Sequence, residues 1–445
     1  MGQHVSRRTI LAASGAALAV PLSAPWVARP AHAAPREIRF WHAMAGVNGE
    51  RLEELTRRFN ASQAEYNVVP VFKGTYDELI NGTVAAYRTR TQPQLVQIYE
   101  RGFMTMLLSN AIMPVQELMA AQKQAVDWGD FIKPIAGYYT YKGQLQAMPF
   151  NSSTPILYFN KAHFAKAGIE RPAETWQGLE EQLRRVKAAG GPGSIMADDY
   201  HWSWFENYSA INDLSYATRS NGFEGLDTEF VYNRTGLVSQ VGRMKRWLDD
   251  GLLQIAGQGV APTAVFTAGR SATFMASTAA HSAMMAANDL DWSAVPLPWE
   301  EGREARNSVI GGAVLWVLKG HAEPDYAGTA AFLAYLAKPE TQVWWHKATG
   351  YVPATNAAYA MAKQEGWYSQ RPTQEIAVQQ LSRGTPTANS LGFRFGNFTQ
   401  TMLAQREEAE RAFGGQKPPQ QAMDDAVSRG NDILRRFERL NAGRY

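Results

Sequence analysis

Apolar and polar positions follow two rhythms from residue 37 onward. Short apolar runs at 37–41, 66–72 and 94–99 read as strands. Between them, 48–60 places Leu52, Leu55 and Phe59 at helical spacing, and 76–88 continues as a helix. This alternation predicts an α/β sheet with helices on its faces. The segment 148–155, with two prolines and four polar residues, breaks the rhythm before a further strand at 156–159. It reads as a crossing between two lobes. Helices follow at 161–168 and 175–189, the second with Thr175 as a capping residue. Residues 190–194 form a glycine-rich loop, and helical pattern dominates after Gly236. A second crossing is expected at 295–298, then a strand at 308–318 and helices at 325–337, 339–349 and 420–440. No repeat with a period of roughly 20–50 residues is visible, which disfavours solenoids and propellers.

The N-terminus changes the picture of compartment. Arg7-Arg8 precede a moderately apolar run at 10–24, and Ala31-His32-Ala33 has small–x–small spacing. Ser6-Arg7-Arg8-Thr9-Ile10-Leu11 resembles a twin-arginine export signal. The run is short for a membrane span, which needs roughly 20 apolar residues. Cleavage after Ala33 would remove Arg7, Arg8 and Arg29, so the net charge of the whole chain, +3, falls to zero in the mature protein. The expectation is an exported, periplasmic protein with its signal peptide removed.

Composition narrows the function classes. With 445 residues, 45% hydrophobic and 19% charged, the chain is an ordinary globular sequence, and no clustered basic excess suggests nucleic acid. The absence of cysteine excludes thiolate metal sites, iron–sulfur clusters, thiol nucleophiles and disulfides. The eight histidines are scattered, and no zincin, serine-hydrolase, P-loop or dinucleotide motif is present. Neither a metal nor a cofactor is expected. Ligands of α/β sheets lie beyond the carboxyl ends of strands. Those ends are Trp41-His42, Lys73-Gly74-Thr75-Tyr76 and Tyr99-Glu100.

Several stretches then fall in a familiar order: Phe40-Trp41-His42-Ala43-Met44, Phe72-Lys73-Gly74-Thr75-Tyr76, Gln97-Ile98-Tyr99-Glu100 and Pro149-Phe150-Asn151-Ser152-Ser153-Thr154-Pro155. Leu157-Tyr158-Phe159-Asn160-Lys161, Ile310-Gly311-Gly312-Ala313, Leu315-Trp316-Val317 and Lys347-Ala348-Thr349-Gly350-Tyr351-Val352-Pro353 follow, with the C-terminal segment 426–438 completing the set. Across nearly the whole mature chain the sequence resembles the periplasmic glycerol-3-phosphate-binding proteins of Ugp-type ABC importers. The resemblance implies a type II periplasmic-binding-protein fold of the maltose-binding-protein class. Each of its two lobes is a sheet flanked by helices, with the ligand cleft between them. On that layout residues 34–149 and 298–350 form the first lobe, and 150–297 and 351–445 the second.

The same resemblance assigns ligand contacts. Tyr76 would donate its hydroxyl to phosphate, Glu100 would accept glycerol hydroxyls, and Ser153 and Ser277 would reach phosphate oxygens. Gly312 would offer a backbone N–H, and Tyr351 would close over the ligand. Each has a structural alternative: a packed ring, a solvated acid, a turn serine or a β-bulge glycine. Trp41, His42, Trp202 and Asp199 are softer candidates. A tryptophan suits the apolar face of a polyol but is more often core, and His42 reads foremost as a hydrogen-bonded structural residue. One departure stands out. The family holds phosphate with an arginine that matches Met402 here, while Arg394 matches an earlier arginine of the same segment. Loss of such a bond should cost roughly 1.5–3 kcal/mol. Either Arg394 or Arg383 turns inward, or the ligand is less anionic: a glycerophosphodiester such as glycerophosphocholine, or a neutral polyol derivative or glycoside. The implied partners are ABC permease subunits with a cytoplasmic ATPase, the receptor itself being a monomer without direct membrane insertion. Two other classes stay open: an exported hydrolase of sugars or phosphodiesters, which would need paired carboxylates, and a scaffold without a small ligand.

Overall fold

The computed structural model describes residues 34–196, 199–257 and 259–445. The expected export signal at 1–33 lies outside the described residues. Thirteen strands punctuate the described residues. The first four are β1 (Arg36–His42), β2 (Tyr66–Phe72), β3 (Leu95–Tyr99) and β4 (Ile112–Met113), and a small hairpin, β5 (Thr140–Tyr141) and β6 (Gln144–Leu145), follows. Then come β7 (Met148–Ser153), β8 (Pro155–Asn160), β9 (Ser194–Met196), β10 (Leu253–Ile255), β11 (Thr273–Ser277), β12 (Trp292–Val295) and β13 (Gly311–Leu318).

The strands make two large sheets. One runs β2-β1-β3-β13-β4, with β7 also paired to β13. The other runs β10-β9-β11-β8-β12. In the first sheet β1 lies parallel to β2 and β3, as a strand–helix–strand rhythm requires, and β13 returns antiparallel to β3. Helices cover both sheets, so the chain has the two-lobed α/β fold. All five residues of β3 are buried, the pattern of a strand covered on both faces. Full burial of each of Leu95, Val96 and Ile98 is worth about 1.5–3 kcal/mol.

The segment 148–155, expected as a crossing, is made of two consecutive strands. β7 belongs to the first sheet and β8 to the second, with Thr154 between them. β8, all six residues of which are buried, shows how the middle of the second sheet is covered on both faces. Leu157 and Phe159 join one cluster with Trp176, Trp204 and Trp247, while Ile156 and Tyr158 join another with Ile195 and Phe274. This is the two-residue period of a strand packed on both faces. Near the C-terminus, Tyr351, Val352, Ala354 and Leu381 pack into the first lobe's core, whereas Phe393, Phe395 and Phe398 pack into the second's.

Candidate ligand-binding site

The helix Tyr76–Thr89 starts where a capping box fixes it. The Thr75 hydroxyl accepts from the Glu78 backbone N–H (3.3 Å), and the Glu78 carboxylate accepts from the Thr75 N–H (2.7 Å). Tyr76 at the first helical position stacks on Tyr99 at the end of β3, with ring centroids 5.0 Å apart and planes within 3°. Its hydroxyl accepts from Asn151 Nδ2 at 3.1 Å, and Asn151 Oδ1 accepts from Gln97 Nε2 at 2.9 Å. Tyr351 joins the same group, with Asn151 and Asn48 flanking its hydroxyl. The structure thus brings Tyr76 and Tyr351 together through Asn151, with Asn48 also at Tyr351, two residues to which the sequence assigned no ligand role.

Gly312 sits opposite Ser152 in the β7–β13 ladder at φ +89°, where a Cβ would overlap the Asn151 carbonyl oxygen. Only glycine fits both the backbone and the space. Ser153 is buried opposite Gly311. Gly311 in turn lets the Trp202 ring lie directly against the strand, because a Cβ there would overlap the indole. Trp202 belongs to a buried π-helical turn, His201–Glu206, and its Nε1 makes no hydrogen bond. Ser277 ends β11, and its hydroxyl accepts from the Ala279 N–H (3.1 Å).

Between the first sheet's β1–helix turn and the second sheet lies a cavity of about 520 Å³. Ala45–Asn48, Asp199, Trp202, Ser203, β11 residues through Ser277 and the helix Ala261–Thr267 line it. Asp199, Trp202 and Ser277, all named from the sequence, therefore line one cavity. Tyr76 and Tyr351 are tied to this cavity through Asn48. A second cavity of about 700 Å³, beside Tyr138, Ser308 and Leu391, is lined by none of the ligand contacts expected from the sequence.

A buried charge cluster closes one end of the site. Arg101, 5% exposed, follows Glu100 at the end of β3 and reaches into the second lobe. Its two terminal nitrogens bind Asp199 in bidentate fashion (3.2 and 3.3 Å), and one also donates to Glu206 (3.2 Å). The Glu100 carboxylate lies 3.7 Å from Arg101 Nε, which makes no hydrogen bond. His201 Nδ1 braces Glu206 at 2.8 Å. Burial pushes the Glu100 carboxyl up to about 8 against the pull of Arg101, and the neighbouring Glu206 and Asp199 raise it further. Glu100 is therefore largely the neutral acid at neutral pH, with one O–H to donate. Burial would raise Asp199 as well, but Arg101 outweighs it and holds that carboxyl below its usual range.

The remaining candidates are committed elsewhere or lie apart. Arg394 is buried, donates to the carbonyls of Gly137, Tyr138 and Thr140, and lies 4.1 Å from the Phe223 ring. Arg383 is half-buried over Trp299, and Met402 is buried on the helix Phe398–Phe413. Lys73 covers the Trp41 ring at 4.0 Å. His42 accepts from the Met44 N–H (3.3 Å), and burial lowers its pKa to about 4, so the ring is neutral. Sequence reasoning missed Arg101, Glu206, Asn48 and Asn151. The first two carried no spacing signal, because the ion pairs join residues 98 and 105 positions apart.

Two sheet-and-helix lobes, with polar groups and a cavity between them, define a two-lobed binding-protein fold. The sequence profile of bacterial extracellular solute-binding proteins matches residues 54–373. The chain is 37% identical over 410 residues to the sn-glycerol-3-phosphate-binding periplasmic protein UgpB of Salmonella paratyphi A, covering 91% of this chain and 94% of that protein. The UgpB of Escherichia coli K12 is 37% identical over 408 residues, 90% of this chain and 93% of its own. This chain therefore belongs to the bacterial extracellular solute-binding protein family. Among solved structures, UgpB from Mycobacterium tuberculosis in complex with glycerophosphocholine superposes with a TM-score of 0.76 at 20% identity, over 91% of this chain and 99% of that one. The sugar-binding protein MalE of Xanthomonas citri gives 0.71 at 17% identity, over 91% and 98%. These two likenesses establish the fold.

Proposed function

We propose that this protein is the periplasmic receptor of an ABC importer for a glycerol-containing phosphate ester, glycerol 3-phosphate or a glycerophosphodiester. The observation that carries the reading is the 37% identity, over 91% of the chain, to receptors named for sn-glycerol 3-phosphate. The geometry supports it with the hydroxyls of Tyr76 and Tyr351, tied through Asn151 and Asn48 to a cavity lined by Trp202, Asp199 and Ser277. In this reading the tyrosines, Ser153, Ser277 and the Gly312 N–H serve phosphate oxygens. Glu100 meets a glycerol hydroxyl, and Trp202 lies along the apolar edge. Trp41 and His42 take no part in contact, since Lys73 covers one and the Met44 backbone engages the other.

The protein binds its ligand and releases it unchanged to permease subunits driven by a cytoplasmic ATPase, and performs no reaction of its own. It is exported with its signal peptide removed and works as a monomer, without cofactor or metal. No helix among the described residues is long and apolar enough to cross a membrane. Domain closure around the ligand would then present the surface the permease reads.

Calorimetric titration of the purified receptor with glycerol 3-phosphate, glycerophosphocholine and maltose tests the reading. Saturable binding of a glycerol phosphate ester and none of maltose is expected. Maltose binding alone, or no binding of any of the three, would overturn it.

A further inference from the structure

The chemistry of the cavity wall bears on ligand charge. Among the described residues lining the cavity none is lysine or arginine, and the one charged side chain is Asp199, 43% exposed. Arg101 stands behind that carboxylate, with its side chain only 4% exposed. Its terminal nitrogens are already taken by Asp199 and Glu206, so one guanidinium serves three carboxyl groups counting Glu100. Arg101 Nε makes no hydrogen bond, but it is buried 3.7 Å from the Glu100 carboxyl and Arg101 is not among the residues lining the cavity. The unpartnered Trp202 Nε1, also buried, adds one further donor. A dianionic phosphate here would meet a carboxylate before it met a cation, and like charges in a low-dielectric site repel strongly. A phosphodiester carries one charge, and a cationic alcohol on its far side would be drawn to Asp199 and to the aromatic faces beside it.

Resting on the function proposed above, we infer that Asp199, with Arg101 as its counter-ion, is the specificity-determining residue. It makes the receptor accept a glycerol phosphodiester, above all one with a cationic alcohol, and disfavour the phosphate monoester. Arg101 acts as a shared cation that the carboxylates of the second lobe hold away from full engagement with a phosphate. The arrangement differs in kind from an arginine on the cavity wall, which would favour the more highly charged ester.

The test is a pair of calorimetric titrations on wild type and on Asp199→Asn, with glycerophosphocholine and glycerol 3-phosphate at one pH and salt concentration. Asparagine keeps one acceptor for the Trp202 backbone N–H, which Asp199 now receives at 3.3 Å, while it removes the charge and the second oxygen that accepts from Arg101. Wild type should bind the choline diester at least tenfold more tightly than the monoester. Asp199→Asn should narrow that ratio at least tenfold by gaining monoester affinity and losing diester affinity. The conservative Asp199→Glu should keep the wild-type preference. A wild type that binds the monoester as tightly as the diester would overturn the inference and leave the receptor function standing, as would an unchanged ratio in Asp199→Asn. Failure of both esters to bind wild type would overturn the receptor reading and this inference together.

Discussion

Two buried ion clusters of opposite sign divide the labour of this molecule. In the second lobe, Glu408 is 1% exposed and is reached by three cations, Arg411 (2.9 Å), Lys417 (2.6 Å) and Arg429 (2.7 Å). All lie within the helices Phe398–Phe413 and Pro419–Leu440 and the turn between them. At the lobe junction the pattern is reversed: Arg101 is surrounded by three carboxyl groups drawn from both lobes. The Glu408 cluster uses partly exposed partners, close in sequence, to clamp two neighbouring helices. The Arg101 cluster uses distant partners, one of which faces the cavity. The first is thus a fastener within a lobe, while the second ties the lobes together and sets the field that a ligand enters. Buried charge alone therefore says little about function, and the location of the partners decides.

The largest effect should separate the two clusters. Arg101→Met leaves Glu206 buried without its cation and should cost about 3–5 kcal/mol in urea unfolding. It should also lower ester affinity. Glu408→Gln keeps a hydrogen-bonding group among cations that can rehydrate, so a loss of about 1–2 kcal/mol is expected, with the ester Kd unchanged. Equal effects of the two variants on Kd would erase the distinction drawn here. Gly312→Ala, between these in size, should cost about 1–3 kcal/mol through its positive φ and its overlap with Asn151, and should weaken binding by displacing the tyrosine-bearing Asn151.

Tyr76→Phe and Tyr351→Phe remove hydroxyls and should each weaken ester binding by about 0.5–1.5 kcal/mol with little change in melting temperature. The pH dependence should also differ in sign. Glu408 is held below its usual range because its hydrogen-bonded cations outweigh burial. Its contribution is therefore present above the unfolded carboxylate value and is lost as pH falls through the folded one. Glu100 is raised to about 8, so between its ordinary value of 4.5 and 8 the folded chain keeps a proton that the unfolded chain has released. Its contribution falls as pH rises through that window. Melting curves from pH 5 to 8 should show a decline that Glu100→Gln flattens and Glu408→Gln does not.

Much of this architecture was legible in the sequence. The apolar runs at β1, β2 and β3 and the helices between them announced the first sheet, and the strand ends pointed to Tyr76 and Glu100. Thr75 and Thr175 each cap a helix, as their chemistry suggests. What escaped has physical causes. β9, β10 and β12 are only three to four residues long, too short for a period to show. β7 hid behind Pro149 and a polar run whose side chains are buried at the lobe junction. The helix Phe398–Phe413 follows a residue in left-handed conformation, Asn397, and was read only as a motif. Arg101 reads as a solvated charge until the fold brings Asp199 and Glu206 against it. Arg394, an arginine in a matching motif, spends its guanidinium on three backbone carbonyls. Residue type along the chain indicates what a group can do, and only packing shows what it is left free to do.

The central claim is that a glycerol phosphate ester lies between the lobes with its charge read by the Arg101–Asp199 pair. A crystal structure of the receptor soaked with glycerophosphocholine tests it most directly. Ligand density is expected in the cavity lined by Asn48, Trp202 and Ser277, in contact with groups of both lobes, with the choline end on the Asp199 side. Density confined to one lobe, or lodged in the cavity beside Tyr138 and Ser308, would contradict it.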